Sequence, residues 1–307
     1  MQNDKLRSYL HFNVIVFIWG FTAVLGALIS LDAVPLVWYR MSLASVFILG
    51  WILWRKKNLR LSKKDLRMCV FGGVIIALHW LTFFAAIKVS NVSITLAMIS
   101  TGAFFASVLE PIFYKRRVIP YEIFFGLLVM FGLYIIFRVE TQYVAGIILA
   151  LISAFLSASF SLINGKLAHK ADASVVSFYE IAVGAGAVTI LLLLTTVFGG
   201  VGEGFSKEFF TLSTADWWYL FILASICTAY AFITSVAVMK HLTPYTVMLT
   251  INLEPLYGIF LAYLIFGSAE QMNPEFYYGA LLILSTVILN GVMKTRRKTK
   301  AQTKPSL

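Results

Sequence analysis

Trp38-Tyr39-Arg40-Met41 and Phe178-Tyr179-Glu180-Ile181 stand at matching places in two apolar stretches about 140 residues apart. In each, an aromatic pair is followed by one ionisable residue and then by a long apolar run. The rest of the chain is equally averse to water. Of its 307 residues 60% are hydrophobic and 13% charged, with a mean hydropathy of +0.86, whereas soluble domains carry roughly a quarter charged residues. A soluble fold could not cover that much apolar surface.

Working outward from these two stretches, ten apolar segments can be marked, at residues 10–30, 34–54, 67–87, 92–114, 119–138, 143–166, 174–198, 217–239, 244–266 and 275–293. About 20 residues rising 1.5 Å each cross a hydrocarbon core of about 30 Å. The sequence therefore predicts an all-α integral membrane protein with ten crossings. Connections are short, the longest running from 58 to 64 and from 199 to 216. A cleaved leader is the alternative for the first segment, but the segment is longer than a leader's apolar core and its removal would leave an odd number of crossings.

Lys and Arg are distributed unevenly. Of the 25, one side of the predicted bundle receives 21, the other receives Lys88, Arg138 and Lys207, and Arg40 lies within a segment. The positive-inside rule places both termini in the cytoplasm, as an even number of crossings requires, and a plasma-membrane location follows. The net charge of +11 is then a topology signal with some attraction to anionic lipid, not a nucleic-acid footprint. Cys69 and Cys227 have no metal-ligand spacing and imply no disulfide. Nothing in the sequence asks for a metal or a cofactor.

The second half repeats the first. Residues 35–44 overlie 175–184 at a shift of about 140; Thr82 and Lys88 overlie Thr234 and Lys240 at about 152; Gly126 overlies Gly279. Five segments per copy make the copies antiparallel, 10–138 and 143–293, followed by a basic cytoplasmic tail at 294–307. Inverted five-helix repeats of this kind place substrate sites near the midplane between the halves.

In Ile18-Trp19-Gly20, Pro35 to Arg40, Ala85-Ala86-Ile87-Lys88, Leu253-Glu254-Pro255 with Gly267, and Gly279 to Leu284, the chain resembles EamA-type transporters of the drug/metabolite transporter superfamily. Gly102 stands where the family's first copy has a proline, and Ser268 where it often has glutamate. The resemblance implies a ten-helix carrier of small metabolites, often an exporter of amino acids or drugs, and leaves room for a homodimer.

Charged groups at the bilayer centre cost about 2.5–3.5 kcal/mol on insertion scales and mark function when they face protein. Arg40 and Glu180, repeat mates of opposite charge, each lie roughly 10 Å inside opposite boundaries. Arg40 is expected to attract a substrate carboxylate, and Glu180 or Glu254 to receive an amine or a coupling proton; ion pairing that locks the bundle is the alternative. Pro255 should break the ninth segment and bring Asn252 and Glu254 beside a cavity. Glu110, next to Pro111, is expected to pair with Lys115, Arg116 or Arg117. His79 is a proton-relay or substrate-donor candidate, so Glu180, Glu254 and His79 are the candidate proton carriers. Trp19, Trp80 and Tyr230, near the midplane, are candidate walls for substrate. Ser153, Ser157, Ser161 and Gly165 form a small-residue packing stripe, and Trp217-Trp218 and Tyr277-Tyr278 suit membrane anchoring.

With no GxxxxGK[ST] loop, transport is expected to be passive or ion-driven. A membrane enzyme acting on lipid-like substrates is the competing class, but its clustered acids or HExxH-like spacing are missing. A channel would need a filter-like motif that the chain lacks.

Overall fold

The computed structural model describes residues 2–115, 120–199, 204–242 and 244–302, and helix is the regular structure it forms; no strand occurs among the described residues. A chain in hydrocarbon must satisfy its backbone groups within each segment, and the helix does so. Seven stretches among the described residues are long and apolar enough to cross a membrane: Leu6–Leu28, Ala33–Trp54, Lys63–Val89, Val92–Tyr114, Thr141–Leu167, Ala173–Phe198 and Thr214–Val238. They overlie seven of the ten expected segments, and the shorter apolar helix Phe124–Val139 overlies an eighth.

The helices are α1 (Gln2–Leu28), α2 (Ala33–Trp54), α3 (Lys63–Val89), α4 (Val92–Ile99), α5 (Gly102–Tyr114), α6 (Pro120–Val139), α7 (Val144–Leu167), α8 (Ala173–Phe198), α9 (Lys207–Phe210), α10 (Thr214–Ala224), α11 (Ala231–Val238), α12 (Pro244–Ile251), α13 (Glu254–Phe266) and α14 (Pro274–Gln302). Their starts are written in the sequence: Ser62, Asn91, Asp172, Ser206 and Ser213 each accept a backbone N–H of the first turn, the usual work of an N-cap side chain. α3 is wedged between α7 and α8, α2 lies on α8, α1 on α13, and α6 on α14.

Two helices are broken in the same way. The pair α4 and α5 has lengths of 8 and 13 residues, and the pair α12 and α13, beginning 152 positions later, has the same two lengths. Proline does not explain both. Pro255 sits in the first turn of α13, where its missing N–H costs nothing, but the earlier break falls at Ser100-Thr101, and Pro111 lies within an unbroken α5. The Ser100 and Thr101 hydroxyls donate to the carbonyls of Ala97 and Met98, 2.6 and 2.7 Å away, which supplies donors to groups the break would otherwise strand.

Loop contacts gather at two opposite ends of the bundle. At one, Lys57 pairs with Asp172 at 2.9 Å and Tyr179 donates to the Leu59 carbonyl. At the other, Ser30 donates twice to Asp216, Lys88 donates to the Ile29 carbonyl, the Val92 and Ser93 amides donate to Glu270, and Asn273 donates to Glu140. The matched tyrosines do matching work. Tyr39 donates to the Phe209 carbonyl of the short α9, in the connection before α10, at 3.0 Å, as Tyr179 does to Leu59 in the loop before α3 at 3.1 Å.

The α6–α14 seam is reciprocal. A Cβ on Gly132 would lie 3.1 Å from the Gly279 carbonyl oxygen, and one on Gly279 would lie 3.0 Å from that of Gly132. Ile136 and Ile283, one turn on, close over the opposite glycine. Gly126, the repeat counterpart of Gly279, lies off this seam, with the Phe104 ring next to it. Arg116 and Arg117, expected partners of Glu110, lie outside the described residues, as do residues 303–307 of the basic tail.

Candidate functional site

A cavity lies among α1, α2, α3, α4, α7, the stretch from Cys227 to Ile251, and the start of α13. Trp19, Arg40, His79, Trp80 and Glu254, singled out from the sequence, all line it. Three others lie elsewhere. Tyr230 is half exposed on the outside, bonded through its hydroxyl to His11 Nε2 at 2.6 Å. Asn252 is buried at the α12–α13 break but is not part of the wall. Glu180 is buried outside the wall, against Gly72 and Gly73 of α3.

Arg40 is the most constrained group in the cavity. Only 2% exposed, it stacks its guanidinium 3.8 Å from the centre of the Trp80 ring and 5.3 Å from that of Phe84. A guanidinium over indole is held by charge–quadrupole attraction. Its Nε donates to Thr228 Oγ1 at 2.7 Å, while one terminal nitrogen, NH1, is buried with no acceptor. An arginine that keeps a donor unspent beside a cavity is ready to bind an anionic oxygen.

Thr228 stands where it does because the helix changes pitch. Ser225–Tyr230 forms a π-helical segment between α10 and α11, a feature that sequence reasoning did not detect. Thr228 donates to the Leu223 carbonyl five residues back, and the Cys227 carbonyl receives the Trp19 indole N–H at 3.2 Å. The extra residue per turn rotates the face that follows, which accounts for Tyr230 leaving the side where a regular helix would have placed it.

Glu254, at the start of α13, is 7% exposed and makes no ion pair with Arg40, so one cavity contains a cation and an acid that do not neutralise each other by contact. His79 Nδ1 lies 2.9 Å from the Ser153 carbonyl. The Ser153 hydroxyl lies 2.8 Å from the same nitrogen, so one residue of α7 meets both contacts of Nδ1. The serine stripe on α7 does more than pack, since Ser157 and Ser161 line the cavity, with Asn164 continuing the series. Thr22, Cys227 and Ser235 are wall residues that the sequence did not single out.

The cavity is off-centre along the bundle. Its wall reaches Asn164, Met239 and Val247, close to the Asp172 end of α7, α11 and α12. Toward the Ser30 end it stops at Arg40, Phe83 and Ile99, leaving about 10 Å of packed helix beyond. At that end, the sequence-predicted anchors Trp217, Trp218, Tyr277 and Tyr278 are exposed.

Comparison with known proteins agrees with this architecture. A solved crystal structure superposes with a TM-score of 0.66 over 94% of this chain and 98% of its own, at 13% identity, a likeness of fold alone. A protein of Archaeoglobus fulgidus described as an uncharacterized transporter is 21% identical over 297 residues, 94% of this chain and 98% of that protein. The EamA-like transporter family matches twice in succession, at residues 7–138 and 144–292. Nearly the whole chain is covered by these two matches, and the protein belongs to the EamA-like transporter family.

Proposed function

We propose that this protein is a secondary transporter that exports small metabolites bearing a carboxylate and an amine, such as amino acids or drug-like compounds, by alternating access. It crosses the membrane ten times as two inverted five-helix repeats, with both termini in the cytoplasm. The observation that carries the reading is the cavity itself, in which the unspent Arg40 donor and Glu254 face a shared space walled by Trp19 and Trp80. A substrate carboxylate meets Arg40, its amine meets Glu254, and its apolar part lies along the aromatic wall. Proton coupling belongs to this reading, with Glu180, Glu254 and His79 as the ionisable groups.

Counter-flow of labelled amino acids in liposomes, at matched protein density, tests it. Arg40→Ala and Glu254→Gln should each abolish saturable exchange. Exchange kinetics unchanged by both substitutions would overturn the site. Conversion of the labelled compound to a product would favour an enzyme, and flux without saturation a channel. Accessibility labelling that places residues 1 and 307 on different faces would overturn the ten-crossing arrangement.

A further inference from the structure

Glu180 is fully buried on α8, and neither of its carboxyl oxygens has a hydrogen-bond partner. It reaches α3 where that helix has no side chain in the way, since a Cβ on Gly72 would lie 2.5 Å from Glu180 Oε1 and one on Gly73 would lie 2.4 Å from the Glu180 carbonyl oxygen. Beside the carboxyl is Asn164 of α7, a wall residue of the central cavity whose own Oδ1 is buried and unpartnered.

No charge compensates the site. Titratable groups on the elements packed around Glu180 are occupied or distant. On α3, Cys69 is one turn before Gly72, Asp65 and Arg67 lie nearer the end of the helix, and His79 is held by Ser153. On α2, Arg40 turns to Trp80 and Thr228, and Tyr39 to the Phe209 carbonyl. On α7, Lys166 donates to the Phe113 carbonyl; on α8 itself, Tyr179 donates to Leu59; α11 has no ionisable side chain.

An ionised carboxylate here would be a buried charge without a counter-ion, an arrangement proteins avoid. A neutral carboxyl suits the surroundings, since a carboxylic acid and an amide are complementary. The acid donates its O–H to Oδ1 and accepts an N–H from Nδ2, and one proton satisfies both orphaned partners. We propose that Glu180 is a proton-binding site distinct from the substrate cavity, protonated in this conformation, paired with Asn164 and linked to the cavity through it. The inference rests on the transport reading above for its role, but not for its existence. Because Asn164 faces both the proton site and the cavity, occupancy of either changes the affinity of the other, and the effect is reciprocal.

The purified protein in lipid can be tested without a substrate. Infrared difference spectra between neutral and alkaline pH should show the carbonyl stretch of a protonated buried carboxyl. That band should be lost in Glu180→Gln, shifted in Asn164→Ala and unchanged in Arg40→Ala, with thermal melts verifying that each variant is folded. A spectrum from which Glu180→Gln removes no carboxyl band overturns the proposal, the contribution of the buried Glu254 being identified by its own loss in Glu254→Gln. So does loss of the band on replacing choline by sodium at constant pH, which would assign the site to a metal cation. In liposomes, Glu180→Gln should keep amino-acid counter-flow while uphill transport driven by a pH gradient falls at least tenfold; undiminished pH-driven uptake overturns the coupling role. Detection of the Glu180 band in a protein that exchanges no amino acid would leave the proton site standing and remove the transport reading instead.

Discussion

Arg40 does two jobs that lysine cannot combine, stacking flat over Trp80 while donating sideways to Thr228. An ammonium has neither the planar face nor the fork. Arg40→Lys should therefore weaken saturable exchange about 10- to 100-fold in apparent affinity, the equivalent of losing one charged hydrogen bond, with the protein remaining folded; concentration-dependent counter-flow reads this. At the Asp172 end of the bundle, partial burial raises the Asp172 carboxyl, but bonds from Ser174 and Lys57 outweigh it and hold the group below the usual carboxylate range. A depressed folded-state value stabilises the fold at pH above the unfolded value of about 3.9 and ceases to do so as pH falls through the folded one. Melting in detergent should show a small loss of stability below about pH 4 that Asp172→Asn lacks, about 1 kcal/mol or less for so exposed a pair. At this scale the sequence was informative where chemistry was out of place. Arg40, His79 and Glu254 declare themselves as polar groups within apolar runs. Tyr230 could not be placed, because its direction depends on a π turn that has no composition signature.

A helix break needs somewhere for its loosened carbonyls to turn, and in α4–α5 the hydroxyls of Ser100 and Thr101 provide it without any proline. The α12–α13 break has the same element lengths, so a break of this kind does not require a proline ring, and packing around the cavity is expected to hold it without one. Pro255→Ala should leave exchange within about threefold of the parent and cost less than about 1.5 kcal/mol in unfolding by heat or denaturant, since a first-turn proline does little more than preset the backbone. A collapse of activity would show that the ring itself holds the break. Proline makes the second break visible in sequence, whereas at the first only Gly102, in the place of a proline, and the hydroxyls of Ser100 and Thr101 within an apolar run point to it. The serine stripe was read as packing for a similar reason: spacing shows which residues share a face, but not whether that face meets a neighbour along its whole length.

For the molecule as a whole, the closed Ser30 end and the cavity reaching toward Asp172 amount to one conformation of the proposed cycle. Opening the opposite way requires the bonds that Asp216 accepts from Ser30, and Glu270 from the start of α4, to part. Ser30 and Ser213 both donate to the same Asp216 oxygen at 2.7 Å, which makes Ser30→Cys with Ser213→Cys the pair to cross-link by oxidation, while Cys69 and Cys227 are buried and out of the way. Oxidation of that pair should arrest exchange by at least tenfold and reduction should restore it; undiminished flux through the oxidised protein would mean this end never opens. The family match runs twice along the chain, and the two broken helices and the two tyrosines recur in the same order. An all-helical, multi-span membrane protein was legible because lipid tolerates few alternatives, and seven of the expected segments are spans among the described residues, whereas which helices touch depends on side-chain shape that hydropathy does not encode.

The interlocked glycines of α6 and α14 restrict the kind of motion such a cycle can use. Each backbone sits in the notch left by the other's missing side chain, with Ile136 and Ile283 closing the ends. Sliding either helix by one turn would drive an isoleucine into a gap that admits only hydrogen. Tilting about the crossing point displaces almost nothing. In the proposed cycle the halves would therefore pivot there like scissor blades on a rivet and not translate, so any displacement of one half would grow in proportion to its distance from that seam.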